Sequence, residues 1–174
     1  SAQTETMSAQ DHSAWTAILS DFVMESDDGV NRFDYARLKD DASARASLNA
    51  YIETLAAQPI SIPDNGLEEA IRMALEKPIG DITVADMESL TELDASLPTR
   101  GIDTAPPIRS LDGLEMAVNL TFLDLSGGTY RRIVRAGVDL TDYPPLGSLA
   151  NLQILKLSYN NLTSVTLPSG LQNL

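Results

Sequence analysis

NLQILKLSYNN, residues 151–161, spaces its leucines in a way that an isolated strand or helix has no use for: Leu152, Leu155 and Leu157 are followed by Asn160, an L-x-x-L-x-L-x-x-N run. Alternate side chains of an extended strand take opposite faces, so Leu155 and Leu157 fall on one face while Ile154 and Lys156 fall on the other. Asn160 comes where the chain leaves the strand, and its amide is placed to bond the backbone of that turn. One such unit cannot bury its own leucines. It needs copies of itself stacked alongside.

Two further copies lie upstream. Leu120 to Gly128, LTFLDLSGG, repeats the leucine offsets 32 positions earlier with glycine in the asparagine slot, and Leu90-Thr-Glu-Leu93-Asp-Ala95 is a weaker copy 30 positions before that. The pattern is the strand signature of leucine-rich repeats, whose period is about 20 to 29 residues. The excess length predicts looped-out insertions in residues 129–145 and around 99–107. Asn173-Leu174 falls 22 positions after Asn151-Leu152, so the chain stops as a repeat starts. Aligning the copies sets Glu92, Phe122 and Ile154 in one outward row and Asp94, Asp124 and Lys156 in the next, because neighbouring strands lie about 4.8 Å apart. These six are the candidate partner-binding residues. An outward Phe122 and Ile154 pair is a candidate contact patch unless the N-terminal helices or the insertions cover it.

Ile108 to Leu125, IRSLDGLEMAVNLTFLDL, resembles the phrase of internalin-like bacterial leucine-rich-repeat proteins, in which a leucine pair, a Gly-Leu-Glu turn and an Asn-Leu strand start follow one another. Pro63 to Leu93 is similar to the small helical cap before the repeats of that family. The resemblance spans roughly residues 60–174. It implies a curved solenoid that binds other proteins, usually outside the cell; the two long inter-strand segments and the missing terminal cap depart from the pattern.

Upstream, Ser1 to Asp11 reads as a flexible leader. Trp15, Ile18, Leu19, Phe22 and Val23 fall at helical spacing, with Ser13 as expected N-cap and Asp27-Asp28-Gly29 as the stop. Phe33, Tyr35 and Leu38 add an apolar patch, and Leu48, Tyr51, Ile52 and Leu55 predict a second helical stripe. Trp15-x-x-Ile18-Leu19 with Gly29-Val30-x-x-Phe33-Asp34-Tyr35-x-x-Leu38 resembles the opening of an uncharacterised bacterial family whose later portion is similar to cysteine-peptidase or transglutaminase folds. That portion is absent here. Residues 58–65 hold two prolines and read as a linker. A helix from about Gly66 to Lys77, capped by Asp64 or Asn65, and a short helix from Val84 to Leu90, capped by Thr83, would shield the first copy's leucines from water.

Composition narrows the function. Twenty-five acidic residues against twelve basic ones leave a net charge of -13, which repels phosphate backbones and argues against nucleic acid or anionic membranes as partners. No apolar run approaches the roughly 20 residues of a membrane helix, so no membrane insertion is expected. Without cysteine there is neither a thiol nucleophile nor a thiolate metal site. The single imidazole, His12, sits in the polar N-terminal segment. Asp27, Asp28 and Asn31 around Gly29 miss the ordering of a calcium loop, and Gly127-Gly128 is an isolated pair rather than a phosphate cradle. Asn119-Leu-Thr121 and Asn161-Leu-Thr163 match the glycosylation sequon, here a by-product of the Asn-Leu idiom. A start at Ser1 without methionine fits a processed terminus as well as a trimmed one.

The expected fold class is therefore α/β: a leader (1–12), a helical module (13–57), a linker (58–65), a helical cap (66–90) and a short leucine-rich-repeat solenoid with a parallel curved sheet (90–174). The expected function is non-catalytic, cofactor-free protein binding through the exposed strand face, with secretion or cell-surface display implied by the resemblance. The alternative is a structural self-assembling protein that polymerises or dimerises through its open repeat end.

Overall fold

The protein is described from a computed structural model covering residues 11–24, 30–100, 105, 107–130, 133–135, 144–160, 162 and 165–174. It divides into two units, residues 1–56 and 57–174. Residues 25–29, 101–104, 106, 131–132, 136–143, 161 and 163–164, and the leader up to residue 10, lie outside the described residues, and with them the expected Asp-Asp-Gly stop and the second sequon's asparagine.

The first unit holds α1 (Ser13–Phe22), β1 (Val23–Met24), β2 (Arg32–Phe33), α2 (Tyr35–Asp40) and α3 (Ala42–Ala56), with β1 and β2 antiparallel. Ser13 is the first helical residue of α1 and not its cap: Asp11 Oδ1 accepts the Ser13 N–H at 2.9 Å. Asp34 caps α2 by accepting the Arg37 N–H. Ile18, Phe22 and Leu38 form the buried centre, and the Arg37 guanidinium lies 4.9 Å above the Phe22 ring while donating to the Asp21 carbonyl. So small a centre cannot cover every predicted apolar position. Ile52 on α3 is exposed, and Trp15 lies at the edge, stacked on Tyr51. His12 is no loose tail residue, since its Nδ1 shares a hydrogen bond with the Tyr51 hydroxyl.

In the second unit, residues 58–65 differ from the expected linker. Ile60 N–H donates to the Ile82 carbonyl and Val84 N–H to the Gln58 carbonyl, so the segment pairs with the stretch before the second cap helix, and Ile62 is buried. Asp64 then caps α4 (Asn65–Ala74), its Oδ1 accepting from Gly66 and Leu67 and its Oδ2 from the Arg109 N–H 45 residues away. The helix turns its predicted stripe inward: Leu67, Ala70 and Ile71 are buried. It stops at Ala74, three residues before the predicted end, where Glu76 adopts φ 52 and Arg72 ties the turn by donating to the carbonyls of Lys77 and Gly80. Thr83 caps α5 (Val84–Ser89) in a reciprocal box with Asp86.

The strands follow as β3 (Glu92–Asp94), β4 (Phe122–Asp124) and β7 (Ile154–Lys156), a parallel sheet in the order β3-β4-β7. Between β3 and β4 come α6 (Leu97–Arg100) and a 3-10 turn at Leu114–Met116; between β4 and β7 come an antiparallel hairpin, β5 (Gly128–Tyr130) with β6 (Ile133–Arg135), and a second 3-10 turn at Pro144–Ser148. The extra length after β4 thus opens as a paired hairpin, where a plain loop was expected. Gly113 begins the first 3-10 turn at φ 95, and a Cβ there would lie 2.9 Å from the Ser61 carbonyl oxygen, so this turn requires glycine.

The leucine offsets supply one continuous core, which includes Leu90, Leu93, Leu120, Leu123, Leu125 and Leu152. Burial falls along the stack. Leu93, Leu123 and Leu125 are fully enclosed, whereas Leu155 and Leu157 on the last strand are half-buried and Val165 and Leu167 after it are exposed.

Candidate partner-binding face

The register joins the six outward residues as the spacing required. Glu92 pairs with Phe122 and Phe122 with Ile154; Asp94 pairs with Asp124 and Asp124 with Lys156; Leu93, Leu123 and Leu155 form the inward row between them. The two outward rows therefore lie on one face by alternation alone.

What the rows do to one another follows from their chemistry. Lys156 Nζ stands 3.6 Å from Asp124 Oδ2 and 4.7 Å from the centre of the Phe122 ring, so one cation is shared between a carboxylate in its own row and an aromatic face on the diagonal. Asp124 is further held by its strand exit: its Oδ1 accepts the Ser126 N–H at 2.9 Å, and Asp94 does the same for Ser96 at 3.0 Å. Asp94 and Asp124 accordingly aim their carboxylates by local turn geometry before any partner arrives. Glu92 is exposed, and no ion pair with another described residue engages it. Ile154 keeps 49% of its surface open to solvent, with Phe122 half-buried beside it.

The turns at either end of the strands hold the face flat against its neighbours. Asn160, buried, donates its amide both to the Leu125 carbonyl of the preceding copy at 2.8 Å and to the Leu157 carbonyl of its own at 3.1 Å. A second ladder sits at the strand starts. The amides of Asn119, Asn151 and Asn173 donate to the carbonyls of Glu88, Val118 and Ala150, each acceptor lying just before the corresponding position of the preceding copy. The recurring Asn-Leu pair was the signal for this ladder, although the sequence alone gave the asparagines no partner. Tyr159 was not singled out by the sequence; it is exposed in the turn after β7 with φ 59, an uncommon backbone state for an aromatic residue.

Among the described residues no group of three or more His, Asp or Glu side chains is placed to hold a metal ion, and no helix is long and apolar enough to cross a membrane. In α5, burial pushes the Asp86 carboxyl up, but hydrogen bonds from Lys77 and from the Thr83 N–H and hydroxyl outweigh it and hold the group below its ordinary value.

The chain matches no protein-family model and no curated protein. Among solved structures it is similar to an internalin (inlF) from Listeria monocytogenes, at 31% identity and TM-score 0.48 over 69% of this chain and 30% of the other. It is similar to the structure of the CBM51-2 and INT domains of Clostridium perfringens ZmpB, at 32% identity and TM-score 0.41 over 69% of this chain and 24% of that one. A third likeness is to internalin C2 (inlC2) of Listeria monocytogenes, at 22% identity and TM-score 0.32 over 67% of this chain and 66% of the other. The chain thus spans under a third of the length of the first two. None of these likenesses speaks for the cysteine-peptidase or transglutaminase family that the N-terminal segment resembles.

Proposed function

We propose that residues 60–174 form a short leucine-rich-repeat solenoid that binds another protein through the exposed face of β3, β4 and β7, without catalysis, and that the chain works outside the cell or at its surface. The observation that carries the reading is the in-register pair of outward rows. They set an aromatic ring, a half-open isoleucine and fixed carboxylates side by side on a rigid sheet, the combination of apolar centre and polar rim from which protein interfaces are built. The resemblance of residues 108–125 supports the extracellular placement. A photo-crosslinker at position 154 should trap a protein partner from extracellular material, whereas the same group at Ile79, the exposed residue of the turn between α4 and α5, should not. Equal capture from both sites would overturn the reading.

Self-assembly has one observation in its favour: the half-buried leucines of β7 and the exposed Val165 and Leu167 beyond them. Light scattering should then find a dimer that Leu167→Lys returns to monomer; a concentration-independent monomer would remove this second reading.

A further inference from the structure

The exposed face is polarised. The one cation among the six outward residues, Lys156, is already engaged by Asp124 and by the Phe122 ring, so within these two rows the basic charge is spent on the carboxylate beside it. At the opposite margin Glu92 stands exposed on β3. Phe122 lies between these margins on β4, the half-open Ile154 shares β7 with Lys156, and the chain as a whole carries a net charge of -13. From β3 to β7 the face therefore runs from carboxylate, through aromatic, to aliphatic.

Resting on the strand-face reading above, we infer that the partner is a basic, apolar polypeptide segment that crosses the strands, setting a lysine or arginine against Glu92 and an aliphatic or aromatic side chain against Phe122 and Ile154. The strand spacing fixes its geometry. Two steps of about 4.8 Å put the cationic and apolar groups roughly 10 Å apart, which is three residues of extended chain or seven of helix. An acidic segment would meet Glu92 with like charge, and Lys156, the opposite charge in the outward rows, is already paired with Asp124. A purely apolar segment would bury Glu92 unpaired.

The test is selection of a random peptide library displayed on phage against the full 174-residue chain, with the selected peptides then synthesised and their binding measured on variants. Glu92→Lys and Ile154→Asp both change exposed positions, and an unchanged circular dichroism spectrum establishes that each variant folds. The expected result is enrichment of peptides pairing Lys or Arg with an apolar residue at one of the two spacings, weakened about tenfold or more by each variant, the Glu92 effect shrinking at high salt. Enrichment of acidic or uncharged peptides that still lose binding in Ile154→Asp would overturn the charge inference and leave the face reading standing. Peptides that bind both variants as well as the parent, or a library with no enrichment, would overturn both.

Discussion

Replacing Asn160 by alanine should cost far more than replacing any other asparagine of the two ladders, and the structure gives the size. Asn160 is 5% exposed and donates to two carbonyls, Leu125 at 2.8 Å and Leu157 at 3.1 Å. A buried acceptor left without a donor costs about 1 to 3 kcal/mol, and one that water can reach costs about 0.5 to 1.5 kcal/mol. Leu125 is fully enclosed whereas Leu157 is half-buried, so Asn160→Ala should lose about 2 to 4 kcal/mol. Asn119→Ala and Asn151→Ala break the same kind of amide-to-carbonyl bond in the open, and about 0.5 to 1 kcal/mol is expected for each. Asn160→Asp sharpens the test. It keeps the shape but points carboxylate oxygens at two carbonyl oxygens, so its loss should exceed that of alanine at neutral pH and recede at acid pH, where the protonated carboxyl can donate again. Urea unfolding followed by far-UV circular dichroism measures all four. Trp15, the single tryptophan, lies in the first unit, so its fluorescence separates that unit's transition from the one under test. Equal losses for Asn160→Ala and Asn151→Ala would refute the claim that burial sets the cost.

Leu123→Ala, at the enclosed centre of the inward row, should cost about 2 to 5 kcal/mol, Leu155→Ala less because it is half-buried, and Ile154→Ala under about 1 kcal/mol; chemical denaturation reversing that order would mean that the strand faces are misassigned. Asp86→Asn leaves an amide oxygen for the Thr83 N–H but removes the carboxylate charge that Lys77 and the Thr83 donors favour, and should cost on the order of 1 kcal/mol at neutral pH. The folded carboxyl titrates below its ordinary 3.8, so its contribution is present above that value and is lost as pH falls through the lower folded value; the gap between parent and variant in thermal unfolding should therefore close at strongly acid pH, and a gap that widens there would contradict the assignment. A Cβ on Gly170 would stand 1.9 Å from the Gly147 carbonyl oxygen, so Gly170→Ala should cost about 1 to 3 kcal/mol by forcing the last two turns apart, and an unchanged urea midpoint would show that they do not pack so closely.

The outward and inward rows are legible in the sequence because they rest on local rules. Alternation along a strand separates Ile154 from Leu155, and matching apolar offsets in three copies leave a single register that turns all of them to one face. Asp64 and Thr83 were legible as caps for the same reason, since each bonds N–H groups two or three residues ahead. What the chain did not disclose lies in bonds between distant residues. Gln58 and Ile60 pair with residues 82–84 across a span that no periodicity marks, and the Asp64 carboxylate reaches Arg109 as well as its own helix. The exposure of Ile52 depends on how little core the first unit assembles, and the half-burial of Leu155 depends on which neighbour covers it. Lys156 was readable as a charge in a row, but its seat over Phe122 is set by the sheet's diagonal and by a carboxylate one strand away. Sequence determined which side chains face outward, because that follows from the geometry of one strand; only the tertiary structure decided which of them are already spent on one another, because that depends on where three strands, some thirty residues apart in the chain, come to rest.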